Sequence, residues 1–356
     1  MTPRERVNAA IAGQPVDRTP RDFAAVPEIW TVLENHFATT DREAILARLG
    51  IDCRTVSFDR YCRHPDGGGM QRPGPDGTSL DIWGAIRAPV ANAVGVYEEL
   101  CAFPLATAES VADIDRHPWP EASWWDFSAL PDDIARLNRQ QRHHIRWRIG
   151  SVFETAWSLR GFERFLLDLV EQPELATRIL ERVGAIHRAN LERVLSLASD
   201  AIDMVYFYDD VASQQGPIIR PKLYEKLIAP HHRALVELAR DAGKPTMIHC
   251  CGAVRPFIPI WLDLGIRVLN PVQTSAVGME VDGLGRDFGG RLCFHGGVDV
   301  QNLLPTASPD EVRAAVAHLD RHLGPGWILA GSHHLQADIP LANILAMYPP
   351  VAGAVA

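Results

Sequence analysis

The sequence predicts an α/β fold, a parallel sheet closed into a (β/α)8 TIM barrel with an irregular N-terminal extension. From about residue 145 onward, six short apolar segments alternate with segments of helical periodicity. The apolar segments are hydrophobic along most of their length, as expected for strands that are covered on both faces. No Gly-rich turn follows a strand, which argues against the alternative, a doubly wound sheet with a nucleotide site.

The regular part of the chain supplies strands and helices in turn. Apolar and aromatic runs of strand length predict strands over 145–154, 202–208, 245–251, 267–272, 291–298 and 326–332. Apolar residues at helical spacing predict helices over 161–172, 174–198, 221–242, 254–265, 278–288, 310–323 and 340–348. The helix over 310–323 has the clearest beginning, because Ser308 and Glu311 form a capping box.

The first 145 residues show no such alternation. We predict short helices over 2–12 and 41–49, a Gly/Pro-rich loop over 64–77, and hairpin strands over 79–90 and 94–105. Two more strands from this part would complete the barrel. We therefore expect a single domain over 1–356, irregular over 1–145 and built of regular βα units over 146–356.

Composition excludes several classes of protein. The net charge of −9 argues against a nucleic-acid partner, and six cysteines in 356 residues are too sparse for a disulfide scaffold. No apolar run approaches the roughly 18 residues that a membrane span needs, and the N-terminus lacks the apolar core of a secretory signal. We expect a cytoplasmic protein without membrane association. The Trp-rich N-terminal part would serve either as a homodimer contact or as a cover for the barrel base.

Polar and reactive residues follow every predicted strand of the regular part. In a barrel these carboxyl ends converge on one mouth, where barrel enzymes carry their catalytic groups. The concentration of His, Cys and carboxylate side chains therefore predicts a functional face with a small-molecule substrate. In strand order these residues are Glu154; Tyr208, Asp209 and Asp210; His249, Cys250 and Cys251; Asn270 and Gln273; His295 and Asp299; Ser332, His333 and His334.

The segment IHCCG carries the sharpest signal. Residues two apart on a strand point to the same side, so His249 and Cys251 share a face while Cys250 points away. An imidazole and a thiolate at this spacing suit Zn²⁺, although a buried cysteine beside a hydrogen-bonded histidine would give the same pattern. His333 is the best candidate for a third ligand, and behind it come Glu154, Asp209 and His295. His334 is an alternative to His333, because strand alternation sends only one of the two inward.

The other polar groups are assigned around this centre. Asp209 and Asp210 are candidate catalytic or substrate-positioning residues, with helix capping as the alternative for one of them. His295 is a third catalytic candidate. Asn270 and Gln273 are expected to line the pocket and contact the cofactor.

The whole chain resembles the uroporphyrinogen decarboxylase-like superfamily. The resemblance is carried by RERVNAAIAGQPVDRTP, FETAWSLRGFERFLLDLVEQPEL, MIHCCGAVRPFIPIWLDLGIRVLNPVQ and FHGGVDVQNLLP, among other segments. It implies a barrel fold. The decarboxylases themselves carry an RQAGRY-type N-terminal segment, which the matching stretch PRDFAAVPEIW (20–30) lacks, so decarboxylation of a porphyrinogen is not expected.

The second branch of the superfamily implies a zinc-dependent methyltransferase that works with a corrinoid on a partner protein and a thiol or folate acceptor. Its metal motif is His-x-Cys followed far downstream by a second Cys. His249 and Cys251 match the first two positions, whereas Ser332, His333 and His334 stand where the second Cys is expected. This departure allows a His/Cys/His site, a weaker site or a changed reaction. The rival interpretations are a corrinoid-independent, metal-dependent lyase or decarboxylase acting on a small acid, and a non-catalytic corrinoid- or tetrapyrrole-binding protein.

Overall fold

The computed structural model describes residues 1–92 and 95–349. Its strands are β1 (Cys53–Ser57), β2 (Gln71–Pro73), β3 (Ser79–Asp81), β4 (Ile86–Asn92), β5 (Gly95–Ala102), β6 (His144–Arg148), β7 (Met204–Tyr208), β8 (Thr246–His249), β9 (Val268–Val272), β10 (Cys293–Gly296) and β11 (Trp327–Ile328).

Helices cover the sheet and connect its strands. They are α1 (Pro3–Ile11), α2 (Pro27–Phe37), α3 (Arg42–Arg48), α4 (Val111–Arg116), α5 (Leu130–Leu137), α6 (Phe153–Arg160), α7 (Phe162–Glu171), α8 (Pro173–Ala198), α9 (Pro221–Leu227), α10 (Ala229–Asp241), α11 (Ile258–Leu264), α12 (Val281–Phe288), α13 (Leu303–Thr306), α14 (Pro309–Leu323) and α15 (Leu341–Met347). None of these helices has the length and apolar character needed to cross a membrane.

The chain forms an α/β fold around a curled, seven-stranded parallel sheet. The strand order is β1-β6-β7-β8-β9-β10-β11, so the six regular units follow one another around the sheet. The expected eighth strand is reduced to isolated bridges: Arg21 pairs in parallel with Leu329, and the Asp52 backbone N–H donates to the Arg21 carbonyl at 2.9 Å. The segment around Arg21 is thus hydrogen-bonded to both edges of the sheet.

A layer of apolar side chains fills the curled sheet at the amino ends of its strands. Six of the seven strands contribute one buried residue each, and Val7 of α1 packs against them. Helix α1 begins at a capping box between Thr2 and Glu5, which positions Val7 under the sheet. The six strand residues are Cys53, Met204, Met247, Val268, Cys293 and Ile328. This layer closes the amino end, so access to the interior is from the carboxyl ends.

The N-terminal part confirms the hairpin and corrects its bounds. The segment expected to be one strand over 79–90 is two strands, β3 and β4, and β4 pairs with β5 antiparallel in a separate four-stranded sheet, β2-β3-β4-β5. Residues 93 and 94, at the beginning of the second predicted hairpin strand, lie outside the described residues. Helix α2 was not predicted, although Pro27 at its first turn is a usual helix beginning.

All six predicted strands of the regular part are longer than the observed ones, and in two of them the difference changes the position of a site residue. The run over 145–154 is strand only to Arg148, and Phe153 already begins α6. Glu154 therefore lies in the first turn of a helix rather than at the end of a strand. The run over 326–332 is strand only over Trp327–Ile328, and the following residues form irregular backbone that carries Ser332 and His333.

Candidate metal centre

Three potential metal ligands come together at the carboxyl ends of the strands. The ligand atoms of His249, Cys251 and His333 all lie within 4.8 Å of one another, and Cys251 Sγ is 3.4 Å from His249 Nε2. For tetrahedral coordination with bonds of about 2.3 Å to sulfur and about 2.0 Å to nitrogen, neighbouring ligand atoms stand roughly 3.5 Å apart. The Cys251–His249 pair therefore has the spacing that a single zinc ion requires, and a ligand atom of His333 lies within 4.8 Å of both.

Local backbone explains how the first two ligands reach one point. Strand β8 ends at His249, and Cys251 follows on the loop, while Cys250 between them is buried in the core and accepts the Val211 backbone N–H. Gly252 has φ +95, and a Cβ there would lie 2.4 Å from the Ser213 carbonyl oxygen, so only glycine fits this turn. Cys250 points away from the site, as strand alternation predicts.

The imidazole of His249 is held in one tautomer. In the β8–β9 register His249 stands beside Asn270, and its Nδ1 is 2.6 Å from Asn270 Oδ1. Because an amide oxygen only accepts, Nδ1 carries the proton and Nε2 presents its lone pair toward Cys251. A metal-bound histidine has this pattern, with its remote N–H given to a hydrogen-bond acceptor.

The hydrogen bonds continue from Asn270 to a buried carboxylate. Asn270 Nδ2 donates to His295 Nδ1 at 2.5 Å, and His295 Nε2 donates to Asp22 Oδ2 at 2.8 Å. Arg146 also pairs with Asp22, at 2.7 Å. We call the chain His249–Asn270–His295–Asp22 the relay. Arg146 also lies 3.0 Å from His295 Nε2, but a guanidinium only donates, so the carboxylate of Asp22 is the acceptor for that nitrogen. With His295 donating to Asp22, each link has one donor and one acceptor, and the direction of every hydrogen bond up to His249 follows.

Burial sets the protonation states of these groups. Burial lowers the pKa of His249 and of His333, which favours the neutral imidazole that binds metals. Burial and the nearby Asp210 carboxylate raise the pKa of the Cys251 thiol, so a bound cation is what would make it a thiolate ligand. Although burial opposes ionisation of Asp22, Arg146 and His295 hold the pKa of its carboxyl well below its usual range.

The three ligands lie between two cavities. The outer cavity, of about 560 Å³, is lined by Cys251, Gln273 and His333 among others. The inner chamber, of about 210 Å³, is lined by His249 and by His333 as well, with Arg146 and Arg148 on its wall. His333 lines both cavities, so an ion at this centre would border the outer cavity and the chamber that holds the guanidinium groups.

Asp209 has a structural role. It is completely buried, accepts the backbone N–H groups of Val152 and Glu154 at 3.0 and 2.9 Å, and pairs with His232 at 2.6 Å. These are the contacts of a helix cap for α6, which is the alternative that the sequence left open for one of the two aspartates.

Asp210 and Glu154 lie closer to the ligands. Asp210 Oδ1 accepts the Cys251 backbone N–H at 2.7 Å, and Glu154 Oε1 accepts the Asp210 backbone N–H at 2.8 Å. Burial, together with the two neighbouring aspartates, raises the pKa of Glu154 to about 8. The three-residue ligand group does not include Glu154, whose side chain lines a third cavity of about 610 Å³ beside the four-stranded sheet.

Gln273 and His334 line the two cavities beside the ligands. Gln273 is buried, and its Oε1 accepts the Gly252 backbone N–H at 2.7 Å, so it supports the turn after Cys251 as well as lining the outer cavity. His334 lines the inner chamber with His333, and its pKa is lowered to about 4, first by burial and then by the neighbouring histidines. Only His333 belongs to the ligand group.

Several residues of the site are absent from the sequence-based set. Asp22 lies in the N-terminal segment, where no strand pattern marks it. Arg146 and Arg148 line the inner chamber, and here a signal exists: two arginines two residues apart on an otherwise buried strand must point to the same, interior side.

Comparison with known proteins identifies a family and solved structures of similar fold. The family model described as uroporphyrinogen decarboxylase (URO-D) matches residues 110–352. The chain belongs to this family. Among solved structures, a methyltransferase from Methanosarcina mazei matches with a TM-score of 0.67 and 16% identity, covering 98% of this chain and 97% of that chain. A B12-independent methionine synthase from Shewanella sp. W3-18-1 matches with a TM-score of 0.46 and 12% identity, covering 92% of this chain and 94% of that chain. Comparison with curated proteins finds no match.

At 16% identity the match to the Methanosarcina protein establishes the fold alone. The Methanosarcina protein shares the architecture over nearly the full length of both chains. The chemistry of this URO-D family member therefore has to be argued from its own residues.

Proposed function

We propose that this URO-D family member is a zinc-dependent methyltransferase that moves a methyl group between a corrinoid, carried by a partner protein, and a small thiol or folate-type acceptor. The observation that carries the proposal is the nitrogen, sulfur and nitrogen donor set of His249, Cys251 and His333 at the mouth of the sheet. The hydrogen bonds of the segment around Arg21 to both sheet edges support a closed (β/α)8 barrel around it.

The donor set fits zinc better than a hard cation. Imidazole and thiolate are ligands that Zn²⁺ prefers, whereas Mg²⁺ and Ca²⁺ prefer oxygen donors. When bound, zinc acts as a Lewis acid that keeps a coordinated thiol deprotonated near neutral pH. Three protein ligands leave a position for such a thiol, which is the pattern of a catalytic rather than a structural site.

The residues around the ligands have defined tasks in this proposal. The relay holds His249 in the ligand tautomer, and Gln273 fixes the turn that carries Cys251. Asp210 holds the backbone N–H of Cys251 and faces the ligands, where it orients the acceptor. Glu154, protonated near neutral pH, supplies or takes up a proton at the edge of the third cavity.

A second candidate function is supported by one observation. Arg146 and Arg148 face the inner chamber, next to His249, and guanidinium groups suit a carboxylate. A metal-dependent lyase or decarboxylase acting on a small acid would use this arrangement. His333 stands where the methyltransferase motif has a second Cys, and this difference also favours the lyase or decarboxylase.

The corrinoid spectrum distinguishes the two functions. Zinc-loaded protein is mixed with methylcobalamin and a panel of small thiols and reduced folates, and the absorbance of the corrinoid is followed with time. A methyltransferase demethylates the corrinoid in the presence of a thiol, and C251A abolishes the change while H36A, an exposed histidine on α2, preserves it. An unchanged spectrum with every acceptor would refute the methyltransferase and favour the lyase.

A further inference from the structure

A second group of metal-type ligands lies on the outer surface, away from the mouth. His318 and His322 are one turn apart on α14, and Asp282 lies in the first turn of the neighbouring helix α12. Their ligand atoms all lie within 4.8 Å of one another. The two histidines are visible in the sequence as an i, i+4 pair. The Asp282 carboxylate is not, because only the packing of α12 against α14 brings it to them.

The distances match a coordination shell. Asp282 Oδ1 is 3.2 Å from His318 Nε2 and 3.5 Å from His322 Nε2. An ion bound tetrahedrally at about 2.0 to 2.1 Å by nitrogen and oxygen places neighbouring ligand atoms roughly 3.3 Å apart. Both distances from the carboxylate to the imidazoles are therefore close to the edge length of such a shell, and the two histidine ligand atoms lie within 4.8 Å of each other.

Hydrogen bonding orients one imidazole for this role. His322 Nδ1 donates to the His318 carbonyl oxygen at 2.8 Å, so in the neutral ring Nε2 carries a lone pair. That lone pair faces the Asp282 carboxylate, an arrangement that is satisfied either by a proton on the ring or by a cation bound between the two acceptors. The donation of the remote N–H to a backbone carbonyl is the usual feature of a metal-bound histidine. The nearby Arg286 donates to Asp287 at 2.8 Å and so does not fill this place.

Close helix packing produces the cluster. A Cβ at Gly285 would lie 2.2 Å from the His322 carbonyl oxygen, so glycine at this position lets α12 approach the last turn of α14. Asp282, one turn earlier on α12, is thereby placed over the histidine pair. The site depends on the contact between two helices that are separate in sequence.

We propose that Asp282, His318 and His322 form a second metal site, which binds Zn²⁺ or another late first-row divalent ion and links α12 to α14. Water completes its shell. Since the ion binds only when both helices are packed, it stabilises the folded state by mass action. The site is independent of the mouth, and it would add a second equivalent to the metal content of the purified protein.

Zinc binding in a protein without the mouth site tests the proposal. The H249A/C251A variant is titrated with Zn²⁺ alone and followed by equilibrium dialysis and by the midpoint of thermal unfolding. We expect one bound equivalent and a raised midpoint, with the affinity reduced more than tenfold by H318A or H322A and unchanged by H36A. Absence of saturable binding, or binding that survives both histidine substitutions, would overturn the proposal.

Two further measurements keep the test decisive. If the H249A/C251A variant does not fold, the wild-type protein and the H318A/H322A variant are compared, with two equivalents of zinc expected against one. Equal zinc content in the two would overturn the proposal. D282N should weaken zinc binding at the surface and leave methyl transfer unchanged, so failure of this site and failure of the proposed activity remain distinguishable.

Discussion

The relay makes Asn270 the residue whose loss should damage the metal centre without removing a ligand. N270A removes the acceptor that is 2.6 Å from His249 Nδ1 and the donor that is 2.5 Å from His295 Nδ1. The N–H of His249 is then buried without a partner, at a cost of about 1–3 kcal/mol. Substitutions beside metal ligands typically cost about tenfold to a hundredfold in affinity, which agrees with that energy. We expect a loss of zinc affinity in that range.

Competition with a chelator measures the loss, and two variants control it. N270D keeps the acceptor for His249, so it should recover zinc affinity relative to N270A. N343A removes another buried amide, which donates to the backbone carbonyls of Leu304 and Ala307 and contacts none of the three metal ligands. It should lower stability and leave zinc affinity unchanged. Zinc binding by N270A within about twofold of the wild-type protein would refute the role of the relay.

Three further predictions concern the groups around the relay. C251A and H333A should each lose zinc binding at the mouth, whereas H334A should keep it. Competition with a chelator measures the zinc affinity of each variant. Loss of binding in H334A but not in H333A would show that His334, and not His333, is the third ligand. Burial and neighbouring carboxylates raise the pKa of Glu154 from 4.5 in the unfolded chain to about 8 in the folded protein. The folded state therefore binds more protons, and the free energy of unfolding should fall as the pH rises from 4.5 to 8. In urea unfolding, E154Q should make this fall less steep, and an unchanged pH dependence would contradict the prediction. D209A leaves the backbone N–H groups of Val152 and Glu154 and the ring of His232 without their acceptor. It should lower the free energy of unfolding, measured in urea, by about 3 kcal/mol or more. A decrease below about 1 kcal/mol would contradict the capping role.

The sequence predicts the regular half of the fold well because there each strand is one apolar run between two helical patterns. It fails where one apolar run crosses a boundary. The run over 145–154 contains the end of β6, a loop and the beginning of α6, and all three are buried, so hydrophobicity does not separate them. The N-terminal segment around Arg21, which is hydrogen-bonded to both edges of the sheet, is too short and irregular to carry any strand pattern.

The same limits apply to the site. His249 and Cys251 are predictable because their relation is local and follows from strand alternation. His333 required the expectation that strand ends converge, and the structure brings it to the other two. The relay was not predictable, because it joins Asn270 to Asp22 through contacts among residues far apart in sequence, and its donor and acceptor order exists only in the folded chain.

X-ray absorption at the zinc edge tests the central claim most directly. The sample is zinc-loaded H318A/H322A protein, in which the proposed surface site cannot contribute. The account predicts one sulfur neighbour at about 2.3 Å and nitrogen neighbours at about 2.0 Å, with the sulfur signal absent in a further C251S variant. A zinc ion surrounded by oxygen and nitrogen alone, or a sulfur signal that survives C251S, would contradict it.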